Sequence, residues 1–202
     1  LEELVRISPG RVDSRLMLAE LSAGQGKTAK AEEQYRKILE TVPHSEQAIS
    51  GLTRLYRKQE RYDEAVNYIE SYLSRYPGDK RIRRLLAETY TERGWHEVAA
   101  AKYEEMLRDF PNDPEVKLWL GRSLYESISS GKNNDHDRAV YVLKQAAETM
   151  PENAEPDYLI GLLYLDKNYR ELAVDHLKLA LKKADDKRQI AEIRKVLAEV
   201  GR

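Results

Sequence analysis

Residues Arg61–Asp113 read RYDEAVNYIESYLSRYPGDKRIRRLLAETYTERGWHEVAAAKYEEMLRDFPND. Within this stretch Ala65 and Ala99, Leu73 and Leu107, Pro77 and Pro111, and Asp79 and Asp113 are each 34 residues apart. A fixed interval of this size marks a repeated supersecondary unit, and it governs every later reading of the chain. Tyr62, Ala65, Val66, Ile69 and Leu73 fall at helical spacing, so the unit is built of helices.

The period runs in both directions. Pro9, Pro43, Pro77 and Pro111 keep it, and Pro151 follows after 40 residues, so one repeat carries six extra (40 − 34 = 6). With each proline counted as position 32, position 20 is Ala31, Ala65, Ala99, Ala139 and Ala173. A small residue there lets the two helices of a hairpin approach closely. Position 7 is Leu18, Leu52, Leu86, Leu120 and Ile160, and position 28 is Leu39, Leu73, Leu107, Ala147 and Leu181. Position 8 is Ala19, Thr53, Ala87, Gly121 and Gly161. Position 11 is Tyr56, Tyr90 and Tyr164, with Ser22 and Leu124 in the other two repeats.

The pattern predicts helices at 13–25, 28–41, 46–59, 62–75, 80–93, 96–109, 114–129, 136–149, 155–167, 170–184 and 187–200. Asp113 before Pro114 is an N-cap followed by a first-turn proline, and Ser45 and Asp79 sit at equivalent places. Gly26 and Gly94 fall in turns inside their hairpins.

At these positions the sequence resembles the tetratricopeptide-repeat family over nearly its whole length. The resemblance implies an all-α fold, an α-solenoid in which antiparallel hairpins wind into a right-handed superhelix. It places repeats at 12–45, 46–79, 80–113, 114–153 and 154–186, and a capping helix at 187–202. Ile190, Ile193, Leu197 and Val200 form the apolar face of that cap. Residues 1–11 fit the tail of a preceding repeat, with Leu1, Leu4 and Ile7 in phase, so further repeats are expected before Leu1. The fourth repeat, with Leu120, Gly121, Tyr125, Ala146 and Ala147 and its insertion around residues 127–136, is similar to the longer Sel-like variant.

Composition narrows the function classes. Tyr occurs 13 times and Phe once, which suits rings half buried between helices with the hydroxyl in water. A net charge of −1 gives no bulk attraction to nucleic acid or an anionic membrane. The absence of Cys removes disulfides, thiol catalysis and thiolate zinc sites. No apolar run reaches the length of a membrane span. A soluble chain is expected, and cytoplasm and bacterial periplasm stay equally open.

Three tempting motifs fail. Gly24-Gln25-Gly26-Lys27-Thr28 resembles the end of a phosphate-binding loop, but Leu21 stands where that loop needs glycine. His96-Glu97 would need a second histidine at Ala100 to form a zinc-protease helix. The polar loop from Asn133 to Asp137 lacks the spaced carboxylates of a calcium loop and reads as a turn that caps the next helix. His44, His96, His136 and His176 lie more than a repeat apart and read as separate turn and surface residues. No metal, no cofactor and no catalytic set is expected, so the chain reads as a non-enzyme.

The resemblance implies that function sits on the concave face, lined by the first helix of each repeat. There the second and third repeats offer Arg54, Arg57, Lys58, Arg81 and Arg84. The fourth and fifth offer Trp119, Arg122, Tyr125 and Tyr158, beside Leu118, Leu162 and Leu165. Arg and Trp anchor interfaces, and Arg pairs with carboxylates. Two outcomes stay open: the arginines take a partner's acidic segment, or they pair with Glu88 and Glu92 while the apolar residues pack under the cap. The chaperone-binding subfamily clamps a terminal carboxylate with Lys and Asn at set positions. The corresponding residues here are Leu16, Glu20, Gly51, Arg81 and Leu85, or Ser50, Arg54, Leu85, Glu115 and Trp119, and neither set matches. The expected role is a scaffold that binds a peptide or partner protein, within a larger multi-protein assembly factor. The alternative is a helical-repeat RNA binder, disfavoured by the near-zero charge and by basic residues confined to two repeats.

Overall fold

The structure, a computed structural model, describes residues 11–200. The expected N-terminal tail at Leu1, Leu4 and Ile7, and Pro9 of the proline series, lie outside the described residues. Among these there are eleven helices and no strand. They are α1 (Val12–Gly24), α2 (Thr28–Thr41), α3 (Glu46–Lys58), α4 (Tyr62–Leu73) and α5 (Lys80–Glu92). Next come α6 (His96–Asp109), α7 (Pro114–Ser129), α8 (His136–Thr149), α9 (Glu155–Asp166), α10 (Arg170–Lys183) and α11 (Lys187–Val200). Each expected helix is present within two residues at either end.

Caps and turns explain that agreement. Ser45 Oγ accepts from the Ala48 amide at 3.3 Å, and Asp79 accepts from Arg81 and Ile82 at 3.0 and 3.1 Å. Asp113 accepts from Glu115 and Val116 ahead of Pro114, and Asp135 from Arg138 at 3.1 Å. Gly26 and Gly94 take positive φ, +71° and +81°, in their turns. Glu60 and Asn168 do the same job without being glycine, at φ of 58° and 60°. The insertion is shared between helix and loop. Helix α7 has 16 residues against 13 in α5, and its linker is residues 130–135 where the other hairpins use three.

The chain divides into two compact units, one ending at Gly94 and the next beginning at Trp95. In the first, Ala19, Ala31, Tyr35, Ile38, Leu52 and Tyr56 form the centre of a core that joins α1 to α4. Packing is tight enough that a Cβ on Gly51 would lie 2.4 Å from the Tyr35 ring. Glu32 ties α2 onward through Tyr56 Oη (3.1 Å) and Arg61 (2.9 Å), and burial with the Glu32 contact pushes the Tyr56 hydroxyl up to about 12. In the second unit, a Cβ on Gly121 would sit 2.4 Å from Leu143 Cδ2. Helix α11 packs Ile193, Val196 and Leu197 against Leu177 and Ala180.

The second unit also holds a protonation-dependent tie. His136 Nδ1 lies 2.9 Å from the Asn134 carbonyl and Nε2 2.5 Å from Asp166 Oδ2. Both partners only accept, so the ring must donate from both nitrogens and carry a charge. Burial opposes that charge, but the carbonyl and carboxylate outweigh it and raise the His136 pKa above the ordinary value. A raised folded-state pKa contributes stability below the unfolded value and loses it as pH rises through the folded one. Urea unfolding should therefore show stability declining as pH climbs from about 6 to 8, and His136→Gln should remove that part of the decline.

Candidate functional site

The basic residues of the second and third repeats converge in the first unit. Arg54, Arg57 and Lys58 on α3 and Arg81 and Arg84 on α5 line one concavity of about 760 Å³, together with Ser50, Leu85, Glu46, Glu88 and Glu92. The two helices place them by period. Residues at 50, 54, 57 and 58 share one face of α3, and those at 81, 84, 88 and 92 share one face of α5. Five cations face three carboxylates, which leaves the concavity positive although the whole chain carries −1.

The cations differ in how far they are used. Arg57 is the enclosed one, with 15% of its side chain exposed. Its Nε donates to Glu92 Oε2 at 2.7 Å, its Nη2 to Glu92 Oε1, and its Nη1 to Glu88 at 3.4 Å. Burial works against its charge, but the hydrogen bonds to Glu92 and the charge of Glu88 keep its pKa above the ordinary arginine value. The same contact holds the Glu92 carboxyl below its usual range. Arg84 Nε lies 3.2 Å from Glu88, and Arg81 donates to Glu46 at 3.1 Å while remaining largely in solvent. Arg54 and Lys58 are exposed, one helical turn apart, and make no ion pair or side-chain hydrogen bond among the described residues.

The aromatic set lies in the second unit and is largely engaged. Trp119 is half-buried with its ring 5.8 Å from that of Tyr103. Arg122 Nε donates to Glu155 at 2.6 Å. Tyr158 packs beside the cluster under α11 and donates to Glu192 at 2.8 Å; burial and that carboxylate push its hydroxyl well above the ordinary value. Leu165 also packs under α11, and Leu118 is buried. Tyr125 is half-buried.

The relatives of the chain agree with this architecture. Residues 22–89 match the family model described as Tetratricopeptide repeat. The crystal structure of YrrB, a TPR protein with an unusual peptide-binding site, superposes with a TM-score of 0.66 at 20% identity, covering 96% of this chain and 97% of that one. MamA from Desulfovibrio magneticus RS-1 superposes with a TM-score of 0.71 at 12% identity, covering 85% and 94%. Residues 22–89 match the tetratricopeptide repeat, and the chain has the fold of the tetratricopeptide-repeat structures that it superposes on. Its repeats form a helical solenoid of the protein-interaction class. Among curated relatives, interferon-induced protein with tetratricopeptide repeats 2 of Cricetulus griseus is 26% identical over 165 residues, 80% of this chain and 34% of that protein. Cellulose synthase operon protein C of Pseudomonas fluorescens (strain SBW25) is 28% identical over 125 residues, 58% of this chain and 10% of that protein. The chain thus matches about a third of one relative and a tenth of the other. No helix among the described residues is long and apolar enough to cross a membrane.

Several polar residues of the tetratricopeptide repeats have partners that their sequence positions do not announce. His96, His136 and His176 read in the sequence as separate turn and surface residues, yet each is mostly enclosed beside a carboxylate: Glu126, Asp166 and Asp157. The reason is that side chains 19 to 30 residues apart in sequence meet across neighbouring helices. Asp157 is buried and accepts from His176 Nδ1 at 2.8 Å and Lys183 Nζ at 2.6 Å; burial opposes its charge, but these two donors hold its pKa down. The unequal use of the cations has a measurable consequence. Arg57→Ala leaves Glu92 without its arginine while Glu88 keeps Arg84, and it should cost about 0.5–1 kcal/mol in urea unfolding, as ion pairs this exposed contribute. Arg54→Ala and Lys58→Ala should each stay within about 0.5 kcal/mol, as substitutions of free surface side chains do.

Proposed function

We propose that the chain is a non-catalytic scaffold that holds an acidic segment of a partner protein in the concavity between α3 and α5. The observation that carries this reading is the pair Arg54 and Lys58, two exposed cations without internal partners in a concavity where the other three cations face glutamates. Free cations in a walled cleft keep their full attraction for an incoming carboxylate, whereas paired ones must first give up a partner. Arg54 can take a carboxylate through two parallel hydrogen bonds, and Lys58 adds a point charge one turn further along. Ser50 and Leu85 lie beside them and offer a hydroxyl and an apolar contact. The likeness to YrrB, described as having a peptide-binding site, supports a peptide as occupant. The curated relatives, far longer than this chain, support a role as one segment of a larger assembly factor.

The test is fluorescence anisotropy with a labelled pentaglutamate peptide at low salt. The unmodified chain should bind it and lose affinity as salt is added, because exposed charges are screened within about 10 Å at 0.1 M. An Arg54→Ala, Lys58→Ala double variant of equal helicity should bind about tenfold more weakly, equivalent to about 1.4 kcal/mol. Lys178→Ala, an exposed residue of the second unit, serves as the control and should change nothing. No binding at low salt, or equal loss with the control, would sink the proposal. A single-stranded RNA that binds through the same cations more tightly than the peptide would replace the partner protein with a polynucleotide.

A further inference from the structure

Glu92 stands in an unusual place. It is the last residue of α5, a helix with no basic residue in its final turn. Anions are disfavoured at a helix C-terminus, where the backbone carbonyls already concentrate negative charge. Its side chain is nevertheless 47% exposed on one side while its carboxylate grips the Arg57 fork on the other. That grip uses the Nε and Nη2 edge of the guanidinium, the edge with which arginine takes a free carboxylate in parallel. The residue next but one is Gly94, at φ +81°, so the helix terminates immediately beyond it.

From this geometry we infer that Glu92 is a tethered competitor: its carboxylate occupies the Arg57 subsite and gives way to a carboxylate of the bound segment. The inference rests on the acidic-segment reading above and adds its regulation. Arg54 and Lys58 make the first contacts, being free. Arg57, enclosed and more weakly screened, becomes available only when Glu92 swings out into solvent, which its exposure and its place at the helix end make easy. Glu88 stays behind, since it lies within the helix between Arg57 and Arg84. The internal carboxylate then sets a threshold: a ligand with one acidic group meets two open cations, while a ligand with several reaches the third.

A double-mutant cycle reads this directly. Pentaglutamate binding is measured by anisotropy for the unmodified chain, Glu92→Gln, Arg57→Gln and the two together. Release of Arg57 should make Glu92→Gln bind about fivefold tighter, and that gain should vanish when Arg57 is also replaced. An equal gain with and without Arg57 means that only bulk charge has changed, and it overturns the inference while leaving the acidic-segment reading intact. Weaker binding by Glu92→Gln overturns it too. Absence of binding in every variant overturns both. A second readout avoids any folding defect in the Arg57 variants. The Arg57 Nε–H resonance of the unmodified chain should shift on saturation with pentaglutamate, and an unmoved resonance means that Glu92 keeps its place.

Discussion

Close approach between helices is the constraint on which everything else in this chain rests. Ala31, Ala65, Ala99, Ala139 and Ala173 have no exposed surface, and position 8 carries Ala, Thr or Gly throughout. At Gly121 and Gly161 a single added carbon would collide with Leu143 and Leu177, both fully buried. Interiors packed to this density do not absorb extra atoms cheaply. The small residues therefore set how far apart neighbouring helices lie. That spacing in turn decides which outward-facing side chains reach one another and which are left free.

Fixed distances of this kind divide the cations of the first unit's concavity into two groups. Arg54 and Arg57 are the same residue type, one turn apart on one helix, yet they behave differently. Arg57 finds Glu88 and Glu92 at hydrogen-bonding distance across the gap, and it becomes part of the fold. Arg54 has no carboxylate at that distance among the described residues and keeps its charge for solvent or a ligand. An ion pair that is half exposed contributes little stability, so the arrangement is better understood by which cation it leaves open than by how firmly it binds α3 to α5.

Much of the fold was legible in the sequence because its signals are local or strictly periodic. Asp79, Asp113 and Ser45 cap the helices that they precede, and the 34-residue spacing of the alanines places every buried contact at position 20. Position 24, occupied by Tyr35, Ile69, Tyr103, Leu143 and Leu177, is buried in all five repeats, yet it leaves no repeat signature because its residue type varies from aromatic to aliphatic. The left-handed turns at Glu60 and Asn168 are harder to read: glutamate gives no sign of positive φ, and asparagine, though enriched there, signals it less strongly than glycine. For the site, the sequence identified the five cations that line the concavity. It left open whether they pair with Glu88 and Glu92, because pairing across 31 or 35 residues depends on helix spacing and side-chain rotamers. The answer is divided, with Arg57 paired and Arg54 and Lys58 free. Tyr158 and Leu165, placed on the concave face with packing under the last helix as the open alternative, pack against the cluster that includes Ile193 of α11.

The central claim is that ligand binding takes place on the α3–α5 face of the first unit, and mapping amide resonances during a peptide titration tests it most directly. Adding pentaglutamate to the isotopically labelled chain at low salt should move the resonances of Ser50, Arg54, Lys58, Arg84 and Leu85 together, with one saturation curve. Resonances of α4 and of the second unit should stay in place. Shifts concentrated on α4, on the 130–135 loop or on the exposed face around Leu172 and Leu179, with the α3–α5 face silent, would contradict the account.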